Sequence, residues 1–342
     1  MAHPQLILDP VDFDPASVSE ETHALDVQLL EWTLQMPKWW EVGSAEWRRM
    51  RRAGETPRPA PILLDTAESF SIPSRESGRN IPCRVLKPQN GKTVKGVFMH
   101  IHGGGWVIGD EESQDQRLQD MANDHGLVSI SIGYRLAPEN PFPAGPEDCY
   151  DAAEWLVLNA EKQFGAPLVL VGGDSAGGHL SMLSTLHLLN HTDERFSSFR
   201  FKGLLLYYGC FDLSWTPSAF NMDKTQPNLT LSPSQMVRFQ GAFLPGNPPV
   251  ERLRQPDVSP LYADLEPLRG RLPPALFVCG TKDCLLDDTL FMSAKWLAGG
   301  GETVVEIVPG AQHGFISFPR SVVASGSERG MAAVDRFIEA RV

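Results

Sequence analysis

The stretch Val169-Leu-Val-Gly-Gly-Asp-Ser-Ala-Gly-Gly-His179 constrains this chain more than any other. An apolar run, Leu168 to Val171, meets two glycines and then a lone serine, Ser175. The segment after it, Leu180-Ser-Met-Leu-Ser-Thr-Leu-His-Leu-Leu189, reads as a helix. Strand, sharp turn, serine and helix form the context of a nucleophile elbow, and Gly173-Asp-Ser-Ala-Gly177 fits its G-x-S-x-G pattern. The serine sits on a strained turn, and a side chain two residues before or after it would collide with a neighbouring strand or helix. Glycine at both places pushes the hydroxyl out toward a substrate. A bystander serine in a Gly-rich turn would show the same bare pattern, so the rest of the chain has to decide.

From residue 66 onward the chain alternates. Strand-like runs are Ala67–Ile72, Ile81–Leu86, Gly96–Ile101, Leu127–Gly133, Leu168–Gly172, Gly203–Tyr208, Ala275–Gly280 and Thr303–Val308. Helix-like runs are Ser113–Asp124, Pro146–Phe164, Gly177–Leu189, Asp288–Ala298 and Ser321–Arg341. The later strands are short and rich in Val, Ile, Leu and Phe, as expected of strands buried on both faces. This predicts an α/β fold with a mostly parallel sheet covered on both sides, opening with an antiparallel pair. Two segments break the rhythm. Residues 1–55 hold a helical pattern from Val18 to Leu34 and crowd in Trp32, Trp39, Trp40 and Trp47, before the stiff Pro57-Arg-Pro-Ala-Pro61 marks a boundary. Residues 211–255 lie between two sheet strands and contain a helix-like Pro233–Leu244. We read both as parts of a lid over a core of residues 56–342.

Composition narrows the function. The 42 Asp and Glu against 30 Lys and Arg give a net charge of −12, which argues against nucleic acid or an anionic membrane as a partner. The short basic cluster Arg48-Arg-Met-Arg-Arg52 reads as the solvated face of a helix. No run reaches the ~18 apolar residues of a membrane span. The first residues lack the pattern of a signal peptide, and the five cysteines show neither metal spacing nor a disulfide framework. We therefore expect a cytoplasmic protein with reduced thiols and no metal.

Serine alone is a poor nucleophile; it needs a base, an orienting carboxylate and an oxyanion site. In this fold type the acid and then the histidine follow the serine, each in a loop after a strand. The strand Ala275–Cys279 ends in Gly280-Thr-Lys-Asp283, and the strand Thr303–Val308 leads to Pro309-Gly-Ala-Gln-His313. Asp283 lies nearest its strand end, whereas Asp287 and Asp288 read as helix-start residues. His3, His23 and His125 follow no late strand, while His179, His187 and His191 lie on or beside the helix after the serine. Asp174 reads as a turn residue. Upstream, the strand Gly96–Ile101 runs into His102-Gly-Gly-Gly-Trp106, whose bare N–H groups suit an oxyanion loop, with His102 holding the loop rather than acting as base. The N–H of Ala176 is the second donor.

Taken together, His102–Trp106, Tyr134-Arg-Leu-Ala-Pro-Glu-Asn-Pro-Phe-Pro-Ala144, Gly173–Gly178, Ser259-Pro-Leu261, Asp283 and His313-Gly-Phe315 resemble the hormone-sensitive-lipase-like branch of the α/β-hydrolases. The resemblance implies an eight-stranded hydrolase core, a lid, and hydrolysis of small acyl esters without a cofactor. It also implies an oxyanion hole of Gly104, Gly105 and Ala176, with Gly103 supporting the loop, and leaves a homodimer open. The family's Asp-Pro-Leu is here Asp283-Cys-Leu, a change expected to matter little.

The expected function is a serine carboxylesterase acting on small, apolar, short-to-medium acyl esters through Ser175, His313 and Asp283. Trp106, Phe211 and Phe315 flank these motifs and are expected to line an apolar pocket. The same three residues would also suit an acyl transferase or a cyclase if the lid excluded water; a ligand receptor without turnover is a third reading.

Overall fold

The computed structural model describes residues 7–225 and 230–342; His3 and residues 226–229 of the expected insertion lie outside that range. Eight strands form one sheet: β1 (Glu68–Pro73), β2 (Asn80–Leu86), β3 (Gly96–Ile101), β4 (Leu127–Ile132), β5 (Leu168–Asp174), β6 (Gly203–Tyr207), β7 (Ala275–Lys282) and β8 (Thr303–Gln312). Their spatial order is β1-β2-β4-β3-β5-β6-β7-β8. β2 pairs antiparallel with both β1 and β4, and all other pairs are parallel. The helices that matter below are α1 (Glu20–Gln35), α2 (Ser44–Arg52), α3 (Asp115–His125), α4 (Ala144–Phe164), α5 (Ala176–Leu189), α6 (Pro217–Thr225), α7 (Pro233–Phe243), α8 (Leu286–Ala298) and α9 (Ser327–Glu339).

The central strands are buried throughout, so their side chains feed two cores by turns. On one face Val97, Met99, Val171 and Leu204 pack with Leu156 of α4, Leu180 of α5 and Trp296 of α8. On the other, Phe98, Leu170, Leu205 and Leu276 pack with Leu118 and Met121 of α3 and with Val334 and Phe337 of α9. This explains why β5 and β6 read as nearly unbroken apolar runs, while the buried His100 of β3 and Ser131 of β4 hydrogen-bond to each other (3.0 Å) instead of marking a wet face.

Topology then places the site. The chain leaves β3 through α3 to reach β4, and leaves β5 through α5 to reach β6 on the opposite side. Strand order reverses between β3 and β5, and ligands of open α/β sheets bind in the crevice outside the strand ends at such a point. The loops carrying Gly103–Trp106 and Ser175 emerge there.

Some boundaries differ from expectation. The last helix was expected from Ser321; instead Gly326 adopts φ 77° and separates a short 3-10 turn, Val323–Ser325, from α9. The basic cluster is only in part a solvated face: Arg49 and Arg52 are exposed, but Arg48 is turned to the core. Arg48 donates from Nε to Val107 O (2.9 Å) and pairs with Glu139 (2.6 Å), and Arg52 pairs with Asp110 (3.1 Å). These side chains tie the N-terminal segment to the core. At its other end Asp26 of α1 pairs with Lys282 (2.5 Å) and accepts from Gln312 Nε2 (2.6 Å). All five cysteines are buried and joined in no disulfide among the described residues, and Cys284 directs its Sγ at Leu231 O (3.5 Å). Among the described residues no helix is long and apolar enough to cross a membrane.

Candidate active site

β5 runs to Asp174, and Ser175 follows with φ 58° and ψ −118° before α5 begins. Holding a β-carbon at such a φ costs of order 1–3 kcal/mol and needs support on both sides. The two flanking glycines supply the room. A Cβ on Gly173 would lie 2.0 Å from Ile101 O, and one on Gly177 would lie 1.9 Å from the same atom. The end of β3 therefore presses directly on the elbow, and only glycine tolerates that approach.

Ser175 Oγ lies 2.9 Å from His313 Nε2, and His313 Nδ1 lies 2.8 Å from Asp283 Oδ2. Asp283 is fully buried, and its other oxygen accepts the Leu285 N–H at 2.9 Å. With the carboxylate as acceptor, His313 carries its proton on Nδ1, and Nε2 is left to accept from the Ser175 hydroxyl. The residues come from three strand ends: Ser175 after β5, Asp283 after β7 and His313 after β8.

The Gly-rich loop lies beside them. A Cβ on Gly103 would meet both Asp174 O and Asp174 Oδ2 at 2.6 Å, so this glycine seats the loop against the elbow. Gly104 (φ 111°) and Gly105 (φ 59°) follow in conformations that favour glycine. The N–H groups of Gly104, Gly105 and Ala176 donate to no acceptor among the described residues. His102 holds the loop as expected: its Nδ1 donates to Gly103 O at 2.8 Å and its ring stacks on Tyr134 with centroids 4.3 Å apart.

Beneath the elbow, Asp174 Oδ1 receives Gln114 Nε2 (2.9 Å) and Arg117 Nη2 (3.1 Å), with His100 Nε2 3.6 Å away. Burial works against this carboxylate, but His100 and Arg117 hold its pKa well below the usual range. Burial likewise lowers His100 to about 4, which keeps it neutral. Asp174 is thus a structural anchor and not an orienting acid. Asp287 and Asp288 also have other partners. Asp287 accepts the Ser218 N–H at 2.8 Å. Asp288 accepts N–H bonds from Phe211 (2.6 Å) and Asp212 (2.8 Å) and the Thr216 hydroxyl (2.8 Å), and burial raises its pKa to about 7.

A family model described as alpha/beta hydrolase fold matches residues 98–317. The chain is 30% identical over 272 residues to carboxylesterase NlhH of Mycobacterium tuberculosis, an alignment covering 76% of this chain and 80% of that one. It is 29% identical over 259 residues to an arylesterase of Saccharolobus solfataricus, covering 70% and 74%. A hyperthermophilic esterase from Pyrobaculum calidifontis superposes with a TM-score of 0.78 at 27% identity, covering 94% of this chain and 98% of that one. The chain belongs to the hormone-sensitive-lipase-like carboxylesterases of the α/β-hydrolase fold. It is a carboxylic ester hydrolase.

Two of the expected pocket aromatics of this esterase lie elsewhere. Trp106 is 4% exposed; it stacks on Phe243 with centroids 4.5 Å apart and donates its indole N–H to His179 Nδ1 at 3.1 Å. His179 in turn donates from Nε2 to Val258 O at 2.8 Å, and burial lowers its pKa to about 4. Phe211 is fully buried and meets Phe277 edge-on. Both belong to the core, because flanking a catalytic motif in sequence does not decide which way a side chain turns. Phe315 is also buried, but it borders a narrow cavity beside His313. One aromatic ring against the glycine loop is one the sequence did not single out: a Cβ on Gly105 would meet Phe239 of α7 at 2.4 Å. Phe239 stacks on Trp39 of the N-terminal segment, centroids 5.3 Å apart at 27°. A 3.6-residue pattern predicted α7 but not which face it turns to the esterase's serine.

Among the described residues Glu154, His187 and His191 form a cluster that could hold a metal. His187 Nε2 lies 2.7 Å from Glu154 Oε1, and His191 Nδ1 accepts the Asp193 N–H at 2.9 Å. That leaves the His191 proton on Nε2, 3.7 Å from Glu154, beyond hydrogen-bond distance. It sits at the far end of α5 from Ser175.

Proposed function

We propose that the esterase hydrolyses small, apolar, short-to-medium acyl esters through an acyl-enzyme on Ser175. Ser175 Oγ attacks the ester carbonyl while His313 Nε2 takes its proton. The carbonyl π-electrons move to oxygen, and the N–H groups of Gly104, Gly105 and Ala176 receive the oxyanion. The tetrahedral intermediate collapses, the C–O bond to the alcohol breaks, and His313 returns its proton to the departing oxygen. Water then repeats the sequence on the acyl-serine and releases the acid. Asp283 holds the His313 tautomer and stabilises its charged form. The observation that carries this reading is the continuous Ser175–His313–Asp283 chain of 2.9 and 2.8 Å, opening beside N–H groups with no acceptor.

Residues 1–55 and 211–255 act as the two halves of the lid. The Trp39–Phe239 stack joins them above Gly105 and favours a compact apolar acyl group. Wild-type enzyme should turn over 4-nitrophenyl butyrate, and Ser175→Ala should lower kcat by at least about 10⁴-fold. Retention of activity within tenfold, in folded protein, would remove Ser175 from the mechanism. Along a series of nitrophenyl esters, rates should fall for long acyl chains; faster turnover of palmitate than of butyrate contradicts the compact pocket.

A further inference from the structure

The narrow cavity beside His313 is lined by α1, by the strand end Gly310–Phe315, and by Thr230, Ser325 and Arg58. Nearly every polar side chain on its wall is already committed. Asp26 pairs with Lys282 and accepts from Gln312, whose Oε1 accepts the Thr230 N–H. The hydroxyls of Thr22, Thr230 and Ser325 donate to Ala324 O, His313 O and Val322 O. Arg58 is the exception: its guanidinium has no hydrogen bond and no ion pair among the described residues. It is also the only Lys or Arg among the described residues of that wall.

Its backbone, by contrast, is held firmly. Pro57 and Pro59 flank it, and the Arg58 carbonyl accepts from Thr56 Oγ1 (3.2 Å) and Arg51 Nη1 (3.3 Å). Burial strips hydration from the charge and lowers the Arg58 pKa. A desolvated arginine without a carboxylate is costly, and its planar fork matches a carboxylate by two parallel bonds. With Asp26 neutralised by Lys282, Arg58 sets the charge of the space next to the catalytic imidazole.

We infer that the esterase's preferred substrates add a carboxylate to the compact apolar ester proposed above, and that Arg58 receives it in the cavity beside His313, whose free space of about 10 Å³ widens to admit it. This rests on the roles proposed above for Ser175 and His313. The carboxylate stands on the acyl or the alcohol side, and each source has its own probe. For the acyl side, 4-nitrophenyl hydrogen glutarate is compared with its methyl ester. For the alcohol side, 4-(butanoyloxy)benzoate is compared with its methyl ester, following release of the phenol. Hydrogen bonds to charged groups predict a preference of about tenfold or more in kcat/KM for the anion in one pair. Arg58→Gln should remove that preference and Arg58→Lys should keep part of it. If the anion-to-neutral ratio of Arg58→Gln stays within threefold of wild type in both pairs, the inference is wrong while the esterase mechanism stands. If wild type hydrolyses none of the four esters, both are wrong. Should Arg58→Gln fail to fold, the wild-type ratios decide: preference for the neutral member in both pairs overturns the inference.

Discussion

Asp283→Asn tests the orienting role more sharply than any truncation, because the amide keeps the shape and changes only the hydrogen bonds. The carboxylate uses one oxygen for the Leu285 N–H at 2.9 Å and the other for His313 Nδ1 at 2.8 Å. Asparagine has one acceptor for these two donors. If its oxygen faced His313, its NH2 would face the Leu285 N–H, donor against donor in a fully buried site, at a cost of about 1–3 kcal/mol. The amide therefore turns its oxygen to Leu285 and donates from Nδ2 to His313 Nδ1. That forces the His313 proton onto Nε2, where it faces Ser175 Oγ and cannot accept from it. Loss of the correct tautomer in a serine triad costs about 10⁴ in kcat, or roughly 5 kcal/mol of barrier at 1.36 kcal/mol per decade. The assay is steady-state hydrolysis of 4-nitrophenyl butyrate, with a thermal melt as control for folding. A folded Asp283→Asn enzyme that keeps kcat within tenfold of wild type would refute the tautomer argument and the assignment of Asp283 with it.

Gly104→Ala would place a Cβ 2.0 Å from Ile108 O at a φ of 111°, so the loop must shift and its N–H groups leave the oxyanion. We expect kcat to fall about 10²- to 10³-fold with a much smaller change in KM; an effect under threefold would exclude this loop as the oxyanion site. Asp288 has a folded pKa of about 7 against an ordinary 3.8. Between those values the native state keeps a proton that the unfolded chain has lost, so this group's contribution falls as pH rises from about 4 to 7, by up to about 1.4 kcal/mol per pH unit. Urea unfolding at pH 5 and pH 7.5 should show wild type losing stability relative to Asp288→Asn; identical pH dependence in the two would contradict the raised pKa.

Much of the site is legible in the sequence because its constraints are local. A strained serine needs glycines at fixed offsets, and the chain carries them at Gly173 and Gly177. Strand ends are where loops carry chemistry, and Asp283 and His313 sit at two of them. The sheet was equally readable, since strands buried on both faces are mostly apolar, with His100, Ser129 and Ser131 the buried exceptions in β3 and β4. What the sequence hides is orientation. Nothing in Trp106 says that its indole turns inward to His179, nor in Arg48 that it reaches Val107 O, nor in α7 that Phe239 faces Gly105. These depend on contacts between residues far apart in the chain, which no short pattern records. The break at Gly326 was missed because a lone glycine inside an otherwise helical pattern does not announce a left-handed φ.

The stack of Trp39 on Phe239 has an engineering meaning. The family match begins at residue 98, so it includes Phe239 and leaves Trp39 outside. The region that the family model matches and the segment that precedes it meet in one pair of rings. Grafting either segment alone onto a related hydrolase would transplant half a contact. Directed evolution that randomises positions 39 and 239 jointly samples variants that scanning either position alone never reaches.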